Sequence, residues 1–165
     1  MKFFDVVCKR TSVREYTGSS IDKELLEKLV DAGRRAPTAR GVEPWEFVVV
    51  EERSMLERFS EIAVNGSFVK AAAAAIVIFS HDTKYYLEDG CAATENVLLA
   101  AADAGLGACW IAGDKKDYAK EICGLLKAPK DCRLISIVAL GVPLKEKHQA
   151  KKRSLDEVLH WEKFT

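Results

Sequence analysis

The sequence predicts one domain in which helices alternate with short buried strands, as in an α/β or α+β sandwich. Its 165 residues match the size of a domain that buries roughly two thirds of its unfolded surface. Four short apolar segments rich in β-branched and aromatic residues alternate with segments of helical periodicity. Neither an internal repeat nor a low-complexity linker interrupts this pattern. We therefore expect a single domain spanning residues 1–165.

Two helices are expected before the first strand. Apolar residues spaced four apart predict a short helix from Phe3 to about Lys9, and a loop follows from residue 10 to residue 16. Ser20 is expected to cap the second helix. The apolar stripe of that helix comprises Ile21, Leu25 and Leu29.

The remaining elements alternate between strand and helix. A helix whose apolar residues include Met55 and Phe59 separates the first two strands, and a long apolar helix from about Tyr86 to Ala104 belongs in the core. Gly105 is expected to end that helix in a left-handed conformation. Asp114 is expected to cap a further helix through Ile122 and Leu126. The predicted strands are Trp45–Val50, Ala74–Phe79, Ala108–Ile111 and Arg133–Leu140.

Composition excludes several classes of function. The 25 basic and 25 acidic residues cancel, so bulk charge attracts neither nucleic acid nor a membrane. The longest apolar stretch, from Cys91 to Leu106, is interrupted by Glu95 and Asp103 and is too short to span a bilayer. The acidic Asp5 near the start and the lack of a small-residue cleavage site predict no signal peptide. We expect a cytoplasmic protein.

Cysteine and histidine spacing gives no indication of a metal site. No C-x-x-C pair and no paired histidines occur at zinc spacing, so most thiols are expected to be buried and no metal is predicted. The histidines are interpreted as residues of the surface or of strand ends. The residues concerned are Cys8, Cys91, Cys109, Cys123, Cys132, His81, His148 and His160.

Two basic clusters could bind a phosphate. Arg10-Thr11-Ser12-Val13-Arg14 places two guanidinium groups around a pair of hydroxyls, a combination that suits phosphate oxygens. Lys151-Lys152-Arg153 lies near the other end of the chain. Taken alone, each cluster also fits an ordinary solvated surface, and the sequence does not show that the two meet.

Two further segments could approach a flat ligand with their backbone. The segment Ala36–Trp45 combines small residues with fixed proline torsions, and glycines bracket the third strand from Gly105 to Gly113. Each also fits an ordinary connection. The sequence lacks G-x-S-x-G, P-loop, H-E-x-x-H and G-x-G-x-x-G motifs, so an organic cofactor would have to supply any difficult chemistry.

In this order, these segments resemble the nitroreductase family of FMN enzymes from Phe3 to about Leu159. The resemblance depends on R-x-S-x-R at the first basic cluster, A-P-[ST]-A before Pro44-Trp45, and the helix Asn96–Ala101 leading to Gly105-Leu106-Gly107. Gly141-Val142-Pro143 and K-x-R at Lys151 and Arg153 complete it. It implies an α+β fold, a three-layer α/β/α sandwich around a mostly antiparallel sheet, in a homodimeric NAD(P)H oxidoreductase.

The resemblance also implies roles for individual residues. The two basic clusters would hold the FMN phosphate, ribityl chain and pyrimidine edge, while residues 37–39 would approach from the partner chain. Asn65 would lie near the ring, and the Ala112 amide would donate to flavin N5. No side chain is expected to act as acid or base. The complete cofactor-binding set is Arg10, Thr11, Ser12, Arg14, Pro37, Thr38, Ala39, Gly41, Asn65, Trp110, Ile111, Ala112, Gly113, Lys151 and Arg153.

The expected activity is ping-pong hydride transfer from NADH or NADPH to nitroaromatics, quinones or flavins. Gly41 and Glu43 stand where the family often has Asn and Gln, and the connection from His81 to Leu87 is short where larger relatives cover their substrate. The two departures at Gly41 and Glu43 leave open a structural dimer with a vestigial site. A non-catalytic flavin-binding or storage protein also stays open, as does a flavin-dependent dehydrogenase or dehalogenase. Residues 144–165 are expected to pack on the partner subunit, because their apolar face has no obvious cover within one chain.

Overall fold

A computed structural model describes residues 2–164 of the chain. Met1 and Thr165, the end points of the predicted domain, lie outside the described residues. The helices and strands alternate as the sequence predicts. In chain order they are α1 Phe3–Lys9, α2 Lys23–Gly33, β1 Trp45–Val50, α3 Arg53–Ile62, β2 Ala74–His81, α4 Tyr86–Asp103, β3 Gly107–Ala112, α5 Ala119–Leu125 and β4 Cys132–Gly141.

The four strands form one antiparallel sheet in the order β1-β2-β4-β3. The central strands β2 and β4 are buried on both faces, which explains their continuous apolar sequences. Successive side chains alternate between the faces: Ile76 packs with α2 and α4, and Val77 packs with α3 and α5. The result is the expected α+β sandwich of helix, sheet and helix layers.

Helix α4 lies in the core, as its sequence predicts. The residues Ala93, Val97 and Ala101 recur at intervals of four and are each fully buried against the sheet or α2. Gly105, two residues beyond the last residue of α4, adopts φ +75°, which confirms the expected left-handed ending. Among residues 2–164, we find no helix with the length and apolar character that a membrane span requires.

Both predicted N-terminal helix caps are wrong. Asp22 rather than Ser20 caps α2, and its carboxylate accepts a hydrogen bond of 2.8 Å from the Glu24 amide. Asp114 does not begin a helix, because turns separate it from α5 and its carboxylate accepts a hydrogen bond from the Tyr86 hydroxyl at 3.0 Å. At α2 the cap is therefore supplied by a residue closer to the helix, and at Asp114 a hydroxyl rather than a helix amide bonds the carboxylate.

The expectation that most thiols are buried is also wrong. Only Cys109 and Cys132 are buried, Cys91 and Cys123 are half-buried, and Cys8 is exposed on α1. A short helix has few positions that face the sheet, and Val6 occupies the one buried position described in α1.

Candidate functional site

The loop from Arg10 to Tyr16 lies along β3, an edge strand of the sheet. Ser12 forms an isolated parallel bridge with Ala108, and the Val13 amide donates to the Ala108 carbonyl at 2.9 Å. Tyr16 forms a second bridge with Pro143 at the end of β4. The backbone of this polar loop is therefore fixed to the sheet at both ends, which positions the cations on it.

Two glycines allow the loop to approach so closely. Gly107 and Gly141 are partners across β3 and β4. A methyl group at Gly107 would lie 2.7 Å from Cγ1 of Val13, and one at Gly141 would lie 2.6 Å from Cδ1 of Tyr16. These distances are shorter than carbon–carbon contact, so any larger residue would displace the loop.

Tyr16 closes the end of the loop with hydrogen bonds. Its hydroxyl donates to the Val13 carbonyl at 2.7 Å and to the Ala139 carbonyl at 3.3 Å. Burial raises the pKa of Tyr16, with a smaller contribution from Cys109, so the phenol remains a neutral donor. Burial also raises the pKa of the Cys109 thiol, although Arg14 opposes this shift. Cys109 is accordingly a packed neutral thiol rather than a nucleophile.

The two loop cations contact different parts of the protein. The Arg10 side chain is only 22% exposed, and its Nε lies 3.9 Å from a Glu95 carboxylate oxygen on α4. The Arg14 guanidinium carbon lies 5.5 Å from the centre of the Phe68 ring. Cation–π contact of this kind orders a guanidinium while leaving its N–H groups available to an anion.

The start of the C-terminal tail contacts the same loop. The Lys147 ammonium donates to the Ser12 carbonyl at 2.8 Å, and the Gln149 amide donates to the Arg10 carbonyl at 3.0 Å. A cavity of about 320 Å³ lies between this tail, the loop and the C-terminal part of α4, and its lining includes Lys9, Arg10 and Lys147. Two lysines therefore stand beside Arg10 on this side of the loop, together with Glu146 from the tail.

The second predicted basic cluster lies farther along the tail. Lys151 and Arg153 are exposed and share a shallow groove with Ser154 and Glu157. Within residues 2–164, neither hydrogen bonds nor ion pairs join this cluster to the loop of Arg10 and Arg14. One chain alone does not bring the two clusters into contact.

Strand β3 directs the backbone groups of every second residue to its outer edge, and the loop occupies this edge at Ala108. The Gly113 amide donates to the Ile135 carbonyl at 2.9 Å, and alternation along an antiparallel pair then directs the amides of Ala108, Trp110 and Ala112 away from β4. The bond from Val13 to the outward Ala108 carbonyl agrees with this alternation. The Ala112 carbonyl accepts a hydrogen bond from the Tyr118 hydroxyl, so its amide is the backbone donor directed outward at the end of the strand.

The other predicted residues of this region surround the strand. Trp110 is half-buried, Ile111 and Gly113 are buried, and Ala112 is exposed. Asn65 is exposed and precedes Gly66, whose Cα packs against the Ile111 side chain. Arg14, the segment from Gly66 to Phe68 and β3 are thus neighbours within one chain.

The loop from Pro37 to Glu43 is held separately, by a buried carboxylate. Asp89, near the start of α4 and only 5% exposed, accepts hydrogen bonds of 3.0 Å from the Thr38 hydroxyl and 3.0 Å from the Ala39 amide. The Glu43 amide then donates to the Thr38 hydroxyl at 3.1 Å. This loop leads into β1, which is the opposite edge of the sheet from β3.

Sequence reasoning missed the residues that hold these loops. Asp89 had a detectable pattern, because it precedes the buried stripe of Ala93 and Val97 at the same four-residue interval, and a charge in such a stripe needs a partner. No such sequence pattern marks Lys147, Gln149 or Phe68, because their contacts join segments that are distant in sequence.

Comparisons with known proteins agree with this arrangement. The model of the nitroreductase family matches residues 7–89 and 80–142. A protein of Archaeoglobus fulgidus, provisionally named an NADH dehydrogenase/NAD(P)H nitroreductase, is 35% identical over 96% of this chain and 97% of its own length.

Solved structures show the same similarity. A Bacteroides thetaiotaomicron protein with that provisional name superposes with a TM-score of 0.95 at 28% identity, covering 99% of both chains. An FMN-dependent nitroreductase of Clostridium difficile superposes with a TM-score of 0.91 at 31% identity, covering 98% of this chain and 99% of its own. Because the family model and these full-length relatives cover nearly all of the sequence, this chain belongs to the nitroreductase family.

Proposed function

We propose that the protein is an FMN-dependent oxidoreductase that transfers hydride from NAD(P)H to small acceptors such as nitroaromatics, quinones or flavins. The main supporting observation is the outer edge of β3, where the loop that carries Arg10 and Arg14 is anchored at Ala108 and the Ala112 amide is directed outward at the other end of the strand. The name of the Clostridium difficile relative, an FMN-dependent nitroreductase, supports the choice of cofactor. The NAD(P)H in the name of the Archaeoglobus fulgidus relative supports the choice of reductant.

The residues present fit the phosphate end of FMN. Arg10 and Arg14 supply forked N–H donors, and Thr11 and Ser12 add neutral hydroxyls beside them. The backbone of this loop is fixed by Gly107, Gly141 and Tyr16 independently of any ligand, so little conformational entropy would be lost on binding. Lys151 and Arg153 would join this site from the tail, after a movement of the tail or from the partner subunit.

The residues at the end of β3 fit the ring end of FMN. The bound flavin would supply the redox chemistry, by taking up a hydride and passing it to an acceptor. The Ala112 amide would donate to N5 of the ring, and the nearby cations would stabilise the negative charge of the reduced form. No side chain of the chain is required to move a proton in this scheme.

We also propose that the active form is a homodimer. Apolar side chains are exposed on α1 and on the tail, including Phe3 at 67%, Trp161 at 77% and Phe164 at 90%. Two such patches in one small protein are typical of a subunit interface. Pro37, Thr38 and Ala39 of the partner subunit would then complete the flavin site, as the family resemblance implies.

The first experiment is an absorbance spectrum of the purified protein, followed by titration of flavin-free protein with FMN. Replacing Arg14 with alanine should weaken FMN binding about 10- to 100-fold, because each charge-assisted contact contributes on the order of 1.5–3 kcal/mol. Arg35→Ala is the matched control, since Arg35 is exposed just beyond the end of α2 and pairs with Asp31. Equal flavin affinity in both variants would assign the Arg14 loop to an ordinary solvated surface.

A second measurement separates an enzyme from a flavin-storage protein. Steady-state oxidation of NADH and of NADPH is followed with menadione or nitrofurazone as the acceptor. We expect turnover well above that of the same concentration of free FMN. Tight FMN binding combined with the rate of free FMN would contradict the enzymatic proposal and favour storage.

A further inference from the structure

His81, Asp131 and Cys132 bring three kinds of metal-binding atom together at one end of the sheet. The His81 Nδ1, an Asp131 carboxylate oxygen and the Cys132 sulfur all lie within 4.8 Å of one another. His81 ends β2 and Cys132 begins β4, and the two are direct partners in the antiparallel ladder. Their separation by about fifty positions in sequence explains why spacing rules for metal motifs do not detect them.

The nitrogen–sulfur distance matches the spacing of ligands around one ion, and the nitrogen–oxygen distance is shorter than that spacing. His81 Nδ1 lies 2.8 Å from Asp131 Oδ2 and 3.6 Å from Cys132 Sγ, and both atoms lie in hydrogen-bonding directions from that nitrogen. Around tetrahedral zinc, bonds of about 2.0 Å to nitrogen and oxygen and 2.3 Å to sulfur place ligand atoms roughly 3.3–3.6 Å apart. The Asp131 side chain is 66% exposed, so the small adjustment needed at its oxygen meets little resistance.

A second feature of the cluster is independent of these three atoms. The other imidazole nitrogen of His81, Nε2, lies 3.5 Å from a Glu46 carboxylate oxygen on β1. Histidines that bind metals almost always donate their second ring N–H to a carboxylate or carbonyl, which fixes the ring and raises its basicity. Glu46 occupies that position here.

The charges around the cluster also favour a cation. Glu46 and Asp131 both contact the imidazole of His81. The neighbouring cation, Arg133, is engaged at 2.9 Å by Asp82. Cys132 is buried and forms no disulfide, so its thiol is available as a ligand and is shielded from bulk solvent.

We propose that His81, Asp131 and Cys132 bind a divalent zinc ion, with Glu46 orienting the histidine. Nitrogen, oxygen and thiolate sulfur form a ligand set suited to zinc. Binding releases the thiol proton of Cys132, and the fourth coordination position is open to water. This site is independent of the flavin site on β3 and of the proposed oxidoreductase activity.

The test uses full-length protein dialysed against a chelator, then titrated with Zn²⁺ by calorimetry and with Co²⁺ by absorbance. We expect one equivalent of zinc per chain, a thiolate-to-cobalt charge-transfer band, and a melting temperature that rises with zinc concentration. Cys132→Ser should abolish the band, whereas Cys123→Ser, which removes a half-buried thiol in the same region, should retain it.

Two further variants keep the test decisive if Cys132→Ser folds poorly. Asp131→Asn changes an exposed side chain and should weaken zinc binding at least tenfold. Glu46→Gln should weaken it roughly 10- to 100-fold without removing a ligand. Two results would contradict the proposal: a wild-type protein without a charge-transfer band, or variants that bind zinc as tightly as the wild type. Either result would show that the cluster is only a histidine–carboxylate pair beside a packed thiol.

Discussion

Replacing Asp89 with alanine is expected to destabilise the protein and to loosen the loop from Pro37 to Glu43. The carboxylate is nearly inaccessible to water and accepts hydrogen bonds from the Thr38 hydroxyl and the Ala39 amide, each 3.0 Å long. Without the carboxylate, both donors lose their partner. The Thr38 hydroxyl also accepts from the Glu43 amide, so the change extends through the whole loop.

The structure sets the size of the effect. Each hydrogen bond to a charged group contributes on the order of 1.5–3 kcal/mol, and the two together are partly offset by the cost of burying a carboxylate, which the variant removes. A net loss of about 2–4 kcal/mol in the free energy of unfolding follows. For a chain of this length, that loss corresponds to a decrease of roughly 5–15 °C in melting temperature.

Thermal unfolding at one fixed protein concentration measures this effect, with FMN affinity as a second readout. Glu88→Ala is the matched control, because Glu88 is the exposed neighbour in the same first turn of α4. Glu88→Ala should lower the free energy of unfolding by less than about 1 kcal/mol, the usual contribution of a charge near a helix N-terminus. Equal destabilisation by both variants would show that Asp89 acts on the helix rather than on the loop. An unchanged melting temperature for Asp89→Ala would show that its carboxylate does not hold the loop.

Three other changes test separate parts of the molecule. Gly141→Ala should lower the free energy of unfolding by about 1–3 kcal/mol in denaturant melts, because the new methyl group collides with Tyr16. The control is Gly124→Ala in α5, where the new methyl group meets no atom within 4 Å. This variant should raise the free energy of unfolding by about 0.5–1 kcal/mol. Ala112→Pro removes the outward amide and should weaken FMN binding roughly 2- to 10-fold relative to Ala112→Gly, which keeps it, because one neutral hydrogen bond is lost; equal affinities would place no flavin contact there. Deleting residues 154–165 should dissociate the dimer and release FMN together in sedimentation experiments, and a truncated monomer with full FMN would assign the site to one chain.

Local sequence patterns predicted the elements of this fold well. Strands β2 and β4 are continuous apolar segments, as is typical of strands that helices cover on both faces. The apolar residues of α4 likewise indicated a helix of the core. The caps of α2 and α5 were predicted incorrectly, since a polar side chain near a helix start has several competing partners. The choice among them depends on the whole local backbone.

The sequence by itself determined the order and type of the elements, the apolar faces that form the layers, and the cations that could meet a phosphate. These properties are encoded by residues close together in the chain, so periodicity and composition reveal them. Only the tertiary structure decided that Asp89 holds the loop of Thr38, that Arg14 lies against Phe68, and that His81 faces Cys132. Each of these contacts joins positions about fifty residues apart, and the strand pairing and helix packing that unite them are properties of the assembled sheet rather than of any single segment.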